Sequence, residues 1–284
     1  MTRAVACAAA LLACAAHADP VRVADDRGVT VRLERPAERI VSLAPHLAEI
    51  AFAAGAGKKL VGVSAASLEE ARALPVVASY GRLDIERVVA LRPDLVLAWR
   101  SGNSILQIGK LERLGFRVAV TEARRLEDIP RIIRLVGTLT GSGAVAEESA
   151  RRFESAVDRL RARHAAEPRV AVFLEIWHRP MLTVNGEHLI SDAIRACGGR
   201  NVFAGAAVLA PMVSREQLLG ARPDAIVTTV RGDEAGQAWR ALEAVPAVRE
   251  RKLYFVDPDL LLGQGPRLAE GMKELCERLD RARG

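Results

Sequence analysis

Short apolar runs alternate with amphipathic stretches along most of the chain. Arg39-Ile40-Val41-Ser42-Leu43, Leu60-Val61-Gly62-Val63, Leu95-Val96-Leu97-Ala98 and Arg117-Val118-Ala119-Val120 read as strands. The unbroken apolar character of the third is that of a parallel strand covered on both faces. Helical patterns lie between them: residues 47–54, with Pro45 near the start and Gly55 at the end; residues 83–91, stopped by Pro93; and residues 105–114, closed by Gly115. A weak alternation over 21–31 around Asp26-Arg27-Gly28 predicts a small hairpin. Past Pro168 the plan restarts, with strands over 169–174, 225–230 and 253–256 and helices over 191–197, 216–221 and 268–281. Strand alternating with helix is the pattern of a parallel α/β sheet.

Two of these stretches say nearly the same thing. Glu86-Arg87-Val88-Val89-Ala90-Leu91-Arg92-Pro93-Asp94 and Glu216-Gln217-Leu218-Leu219-Gly220-Ala221-Arg222-Pro223-Asp224 share a Glu, a paired aliphatic and an Arg-Pro-Asp in one register. Solenoid units recur every ~20 to 50 residues, a far shorter period than the distance between these copies. The repeat therefore predicts two equivalent α/β lobes with a cleft between them. Residues 144–165 carry the longest helical pattern, with Glu147 and Glu148 early and Arg161, Arg163 and His164 late, as the helix dipole favours. Ser142 is its expected cap. Lying between the copies, this helix reads as a rigid strut, giving lobes at 19–141 and 168–284 joined by 142–167.

Composition adds an address. Arg3 precedes an apolar run ending near Ala13, with Ala16-His17-Ala18 after it, so residues 1–18 read as a cleaved export signal. The run is shorter than the ~20 apolar residues of a membrane span. Leu11-Leu12-Ala13-Cys14 leaves lipid anchoring through Cys14 as the competing reading. In an oxidising compartment Cys197 and Cys276 are expected to bridge, the alternative being two buried free thiols. The formal net charge of +6 comes from arginines spread along the chain without interleaved aromatics, which argues against nucleic-acid binding.

Candidate chemistry collects at the carboxyl ends of the strands, where open α/β sheets bind ligands. Those ends carry Pro45 and His46, Tyr80, Trp99 and Arg100, Trp177 and His178, Arg231, and the loop from Asp259 to Gln264. Aromatics are only 4% of the chain, so three Trp or Tyr at strand ends point to a cleft more than to packing. Enzymatic readings find no support: there is no nucleophile elbow and no His-Glu-x-x-His. Gly55-Ala56-Gly57-Lys58-Lys59 lacks the leading Gly and the trailing Ser or Thr of a phosphate loop. No catalytic residue and no protein-built metal site is expected. His46 remains a candidate ligand for a metal carried by the substrate. Glu86 and Glu216, each opening its repeat helix, suit docking onto a pseudo-symmetric partner with arginines on both sides.

Together these segments resemble the helical-backbone periplasmic binding proteins that serve ABC importers of cobalamin, haem and ferric siderophores. The resemblance spans the mature chain. It is carried by residues 39–45 with Glu49 and the Ala51-Phe52-Ala53-Ala54-Gly55 run, by Leu60-Val61-Gly62-Val63-Ser64, by residues 85–96 into Trp99-Arg100 and Asn103, and by Ala196-Cys197-Gly198-Gly199-Arg200-Asn201-Val202-Phe203 and Val213-Ser214-Arg215-Glu216. It is most similar to the cobalamin-binding subfamily. The resemblance implies two Rossmann-like lobes on one interlobe helix and a monomer in the periplasm. It implies no cofactor beyond the cobalt inside a corrinoid ligand, and a partnership with a permease dimer and its cytoplasmic ATPase. It assigns Glu86 and Glu216 to permease docking, Cys197 and Cys276 to a disulfide, Trp99 and Asp259 to the cleft, and Tyr80 to stacking on the ligand. Where the cobalamin binder has two further aromatics this chain has Ala66 and Ala210, so Trp177, His178 and Met181 are expected to fill in. Haem or a siderophore is the alternative ligand, and a scavenger or sensor without transport the alternative role.

Overall fold

The computed structural model describes residues 20–65, 68–79, 82–232, 239–240 and 242–284. The export signal, Cys14, Ala66 and Tyr80 lie outside the described residues. The described residues open with an antiparallel hairpin, β1 (Val21–Ala24) and β2 (Thr30–Leu33), as the alternation predicts. Asp25 fixes its turn, accepting from the Arg27 and Val29 amides at 2.9 and 3.1 Å, and ties it to the next sheet through the Val120 amide at 3.1 Å.

The first lobe is built on a sheet of β3 (Ile40–Ser42), β4 (Leu60–Ser64), β5 (Val76–Ser79), β6 (Arg82–Leu83), β7 (Leu95–Trp99) and β8 (Val118–Thr121). The spatial order is β6-β5-β4-β3-β7-β8, parallel except for the β5–β6 edge. After β3 the chain goes to β4 on one side and returns to β7 on the other. The carboxyl end of β3 is thus the switch point where an open α/β sheet leaves a crevice. α1 (Pro45–Ala53) starts there; Pro45 sits in its first turn, where a missing N–H costs nothing, and Gly55 at φ 79° follows its end. α2 (Ile85–Leu91) and α3 (Ile105–Arg113) match the amphipathic stretches in the sequence.

α4 (Asp128–Thr140) has no counterpart in the sequence reading, because Pro130 disrupts what would otherwise be a plain amphipathic pattern. Pro130 falls in the first turn, where proline is tolerated. α4 leads through Gly141, at φ 73°, directly into α5 (Gly143–His164), the 22-residue strut. Gly137 lets the two helices close: a Cβ there would lie 2.3 Å from that of Ala146. Arg134 then clamps them, contacting Glu147 at 2.7 Å and Glu154 at 2.6 Å. Ser142 occupies the cap position but does not cap; its hydroxyl bonds to the Thr140 hydroxyl at 2.7 Å.

The second lobe has a parallel sheet in the order β10-β9-β11-β12, from β9 (Val170–Glu175), β10 (Gly199–Asn201), β11 (Ala225–Thr228) and β12 (Leu253–Phe255). β9 is again the strand at which the order reverses. The lobe's helices are α6 (Leu189–Ala196), α7 (Arg215–Ala221), the short α8 (Pro246–Arg249) and α9 (Pro258–Leu261), and the terminal α10 (Leu268–Arg283). Cys197, at the end of α6, is bonded to Cys276 in α10. The far end of α5 joins this lobe, with His164 Nε2 3.1 Å from Asp280 of α10.

The repeated Arg-Pro-Asp has one job in both lobes. Arg92 and Arg222 adopt left-handed backbone, φ 47° and 45°, which ends α2 and α7 and turns the chain back to the sheet. The Asp then clamps the start of its lobe's central strand. Asp94 accepts from the Glu38 and Arg39 amides, both at 2.9 Å, and Asp224 accepts from the Ala171 amide at 2.8 Å.

Candidate functional site

A cleft of about 690 Å³ lies between the lobes. Its first-lobe wall comes from α1 (Pro45, His46, Glu49), the end of β4 (Ser64, Ala65) and the segment from Leu68 to Val76. Its second-lobe wall is the segment from Pro258 to Arg267, including Asp259. Of the residues expected in the cleft, Pro45, His46 and Asp259 line this space. Its size is in the range of small-molecule sites.

α1 is buried on almost every face, so its two ionisable side chains stand out. His46 is only 9% exposed. Burial pushes its imidazole down to about 4, which leaves a neutral ring at the cleft wall. The Trp99 indole packs edge-on behind it, ring centres 5.1 Å apart at 88°. Trp99 is in turn pressed on by Gly102, where any Cβ would strike the indole. Trp99 therefore buttresses His46 from behind.

One turn on, Glu49 is equally buried. Its carboxylate accepts from the Arg267 amide at 2.6 Å, on the opposite lobe. Burial raises this carboxyl above the ordinary range and Glu270 adds to the rise, while the Arg267 amide and its charge oppose it. On the other wall Arg231 joins Asp257 and Asp259, at 2.6 and 2.8 Å, and so orients the Asp259 carboxylate.

At the carboxyl end of β9 a second polar centre forms. Glu175 is fully buried and accepts from the Thr228 hydroxyl at 2.6 Å and the Trp239 indole at 2.9 Å. His178 Nδ1 lies 2.7 Å from its other oxygen. A buried carboxylate needs this many partners to be tolerated. Glu175 thereby fixes the His178 ring and ties β9 to β11. The neighbouring Trp177 is 60% exposed, its indole N–H donating to the Arg179 carbonyl at 3.0 Å.

Two expected cleft residues turn elsewhere. Arg100 donates to the Asp26 carbonyl of the hairpin at 3.0 Å, and Met181 packs against the Phe173–Trp239 cluster inside the second lobe. Sequence reasoning passed over Glu175 and Arg267 and quoted Glu49 only as part of a motif. Each signal was present: Glu175 ends an otherwise apolar strand, and Glu49, with His46, interrupts an otherwise apolar helix. Among the described residues, no three His, Cys, Asp or Glu side chains form a metal-binding group.

Glu86 and Glu216 stand exposed at equivalent positions, second in α2 and second in α7. The first helix is capped by Asp84, the second by a reciprocal Ser214–Gln217 box. The Ser214 hydroxyl, bonded to Glu216, lowers that carboxyl.

Two α/β lobes on one helix, with a cleft between them, are the architecture of a solute-binding protein. The periplasmic binding protein family matches residues 40–260, and the chain belongs to it. The vitamin B12-binding protein of Vibrio vulnificus strain CMCP6 is 34% identical over 245 residues, covering 85% of this chain and 90% of that one. That of Pectobacterium carotovorum is 35% identical over 251 residues, covering 85% and 88%. Among solved structures, the periplasmic vitamin B12 binding protein BtuF of Vibrio cholerae aligns at TM-score 0.82 and 34% identity, over 87% of this chain and 98% of its own. The periplasmic heme-binding protein RhuT of Roseiflexus sp. RS-1 aligns at 0.78 and 26%, over 87% and 100%.

Proposed function

We propose that this protein is an exported carrier that captures cobalamin or a close corrinoid in the interlobe cleft and delivers it to the permease dimer of an ABC importer driven by a cytoplasmic ATPase. The observation that carries the reading is the cleft of about 690 Å³ shared by both lobes, in a chain 34% identical to a vitamin B12-binding protein across nearly its whole length. His46 and Asp259 line that cleft and serve as ligand contacts, with Trp99 acting through His46. Trp177 and His178, at the second switch point, extend the contact surface, and Tyr80 stacks on the ligand. Residues 1–18 are removed on export, or Cys14 becomes a lipid anchor. The lobes divide at 142–167 and the protein works as a monomer. Binding without turnover is the role; the cobalt travels inside the ligand and is not a resident cofactor.

A haem carrier is the second reading. It is favoured by one observation: His46 is held neutral at the cleft wall, with a nitrogen lone pair available to a ligand's metal. Isothermal titration of the mature protein with cyanocobalamin and, separately, haemin decides between them. One-to-one, sub-micromolar binding of cyanocobalamin alone is the expected outcome. Binding of haemin alone replaces the corrinoid reading with the haem one.

A further inference from the structure

Glu49 belongs to the first lobe, yet its carboxylate is spent on the second. Arg267, whose amide it accepts from at 2.6 Å, lies 218 positions further along the chain. Gly265 packs its backbone flat against the same group. A Cβ there would fall 2.5 Å from Glu49 Cδ and 2.6 and 2.7 Å from the two oxygens. Glycine is thus required by the close approach.

These residues lead directly into α10. Arg267 holds the cap position of that helix, and no side chain of its own segment caps it. Helix starts leave amides unsatisfied and favour a negative group nearby. Glu49 fills that place from the other lobe. α10 is disulfide-bonded to the end of α6 through Cys276, so holding its start holds the lobe. Glu49, Gly263 and Arg267 all line the cleft, so the contact lies in the wall against which a ligand rests.

The lobes are bridged separately by Asp192 of α6, which accepts from the Leu126 amide at 3.0 Å. Arg161 of the strut reinforces that bridge, 2.6 Å from Glu127 and 3.8 Å from Asp192. Loss of the Glu49 contact therefore leaves the lobes joined.

We propose that Glu49 and Gly265 form a latch that fixes the width of the cleft, and that opening the latch sets how fast ligand leaves. The second half of this statement rests on the carrier function proposed above; the first does not. Glu49→Ala removes the acceptor, and Gly265→Ala displaces the carboxylate from the other side. Glu49→Gln keeps an acceptor oxygen for the Arg267 amide.

Two readouts test it in the mature protein. Electron–electron distance measurements between spin labels at exposed Leu106 and Lys273, one per lobe, report the aperture without any ligand. Stopped-flow displacement of cyanocobalamin reports release. The unaltered protein and Glu49→Gln should share one narrow distance distribution. Glu49→Ala and Gly265→Ala should broaden it and speed release by about tenfold, equivalent to ~1.4 kcal/mol. The double variant should be no worse than either single, because both break one contact. Unchanged distances in Glu49→Ala overturn the latch. Altered distances with an unchanged release rate overturn its control of ligand exit. If the unaltered protein binds no cyanocobalamin, the carrier function fails instead, and the distances alone judge the latch.

Discussion

His46 and His188 share a property that follows chiefly from burial. Burial holds each ring down to about 4, helped at His188 by Arg124. His188 uses its neutral form: Nδ1 accepts from the Ile190 amide at 3.1 Å and so caps α6. In the unfolded chain both rings take up protons near 6.5, whereas the folded protein resists until about 4. Their contribution is therefore intact above pH 6.5 and is lost as pH falls through that window, by up to roughly 3 kcal/mol per ring. Denaturant midpoints of the ligand-free protein should fall between pH 6.5 and 4.5. His46→Gln should flatten the fall relative to the unaltered protein. An equal slope in both would show that His46 is protonated without cost. That His46 lies at the cleft was legible, because it follows a strand in a helix-opening Pro-His. The role of Trp99 was not: its position matched the cleft, but which face of the indole meets Gly102 and His46 depends on packing that no linear pattern encodes.

The repeat shows how far a linear pattern does reach. It placed α2 and α7, β7 and β11, and the two-lobed α/β plan, because a short helix, an Arg-Pro-Asp and a buried strand form a local unit whose hydrophobic period can be read directly. What it hid was why the Asp is there. Asp94 and Asp224 bond to strands that precede them by more than 50 positions. β5 and β10 also escaped, being short strands whose pairing is decided by their neighbours. Since Asp94 holds two amides and Asp224 one, Asp94→Ala should destabilise more than Asp224→Ala. At about 1 kcal/mol per lost bond, urea unfolding should separate the two. Equal losses would mean that the second amide bond to Asp94 contributes nothing.

The docking proposed for this carrier would engage both lobes at once. Glu86 and Glu216 are exposed, and each extends from a helix locked at both ends: by Asp84 or Ser214 at the start, and by the left-handed arginine at the stop. The contacts that fix the lobes, through Arg134 on α4, Asp192 on α6 and Glu49 on α1, also fix the spacing of these two carboxylates. Neither Glu lines the cleft. Docking onto permease arginines should therefore separate cleanly from ligand capture. Exchanging both residues for Lys replaces two attractions with two repulsions, and exposed charges act through solvent, so the effect should weaken as salt rises. With permease and ATPase reconstituted in vesicles, the double variant should bind cyanocobalamin as tightly as the unaltered protein while losing its stimulation of ATP hydrolysis. Either single variant should fall between the two. Raising ionic strength should narrow the gap by weakening the unaltered protein. A double variant that still stimulates the ATPase at low salt would assign docking to another surface, and one that loses ligand affinity would place these glutamates in capture instead.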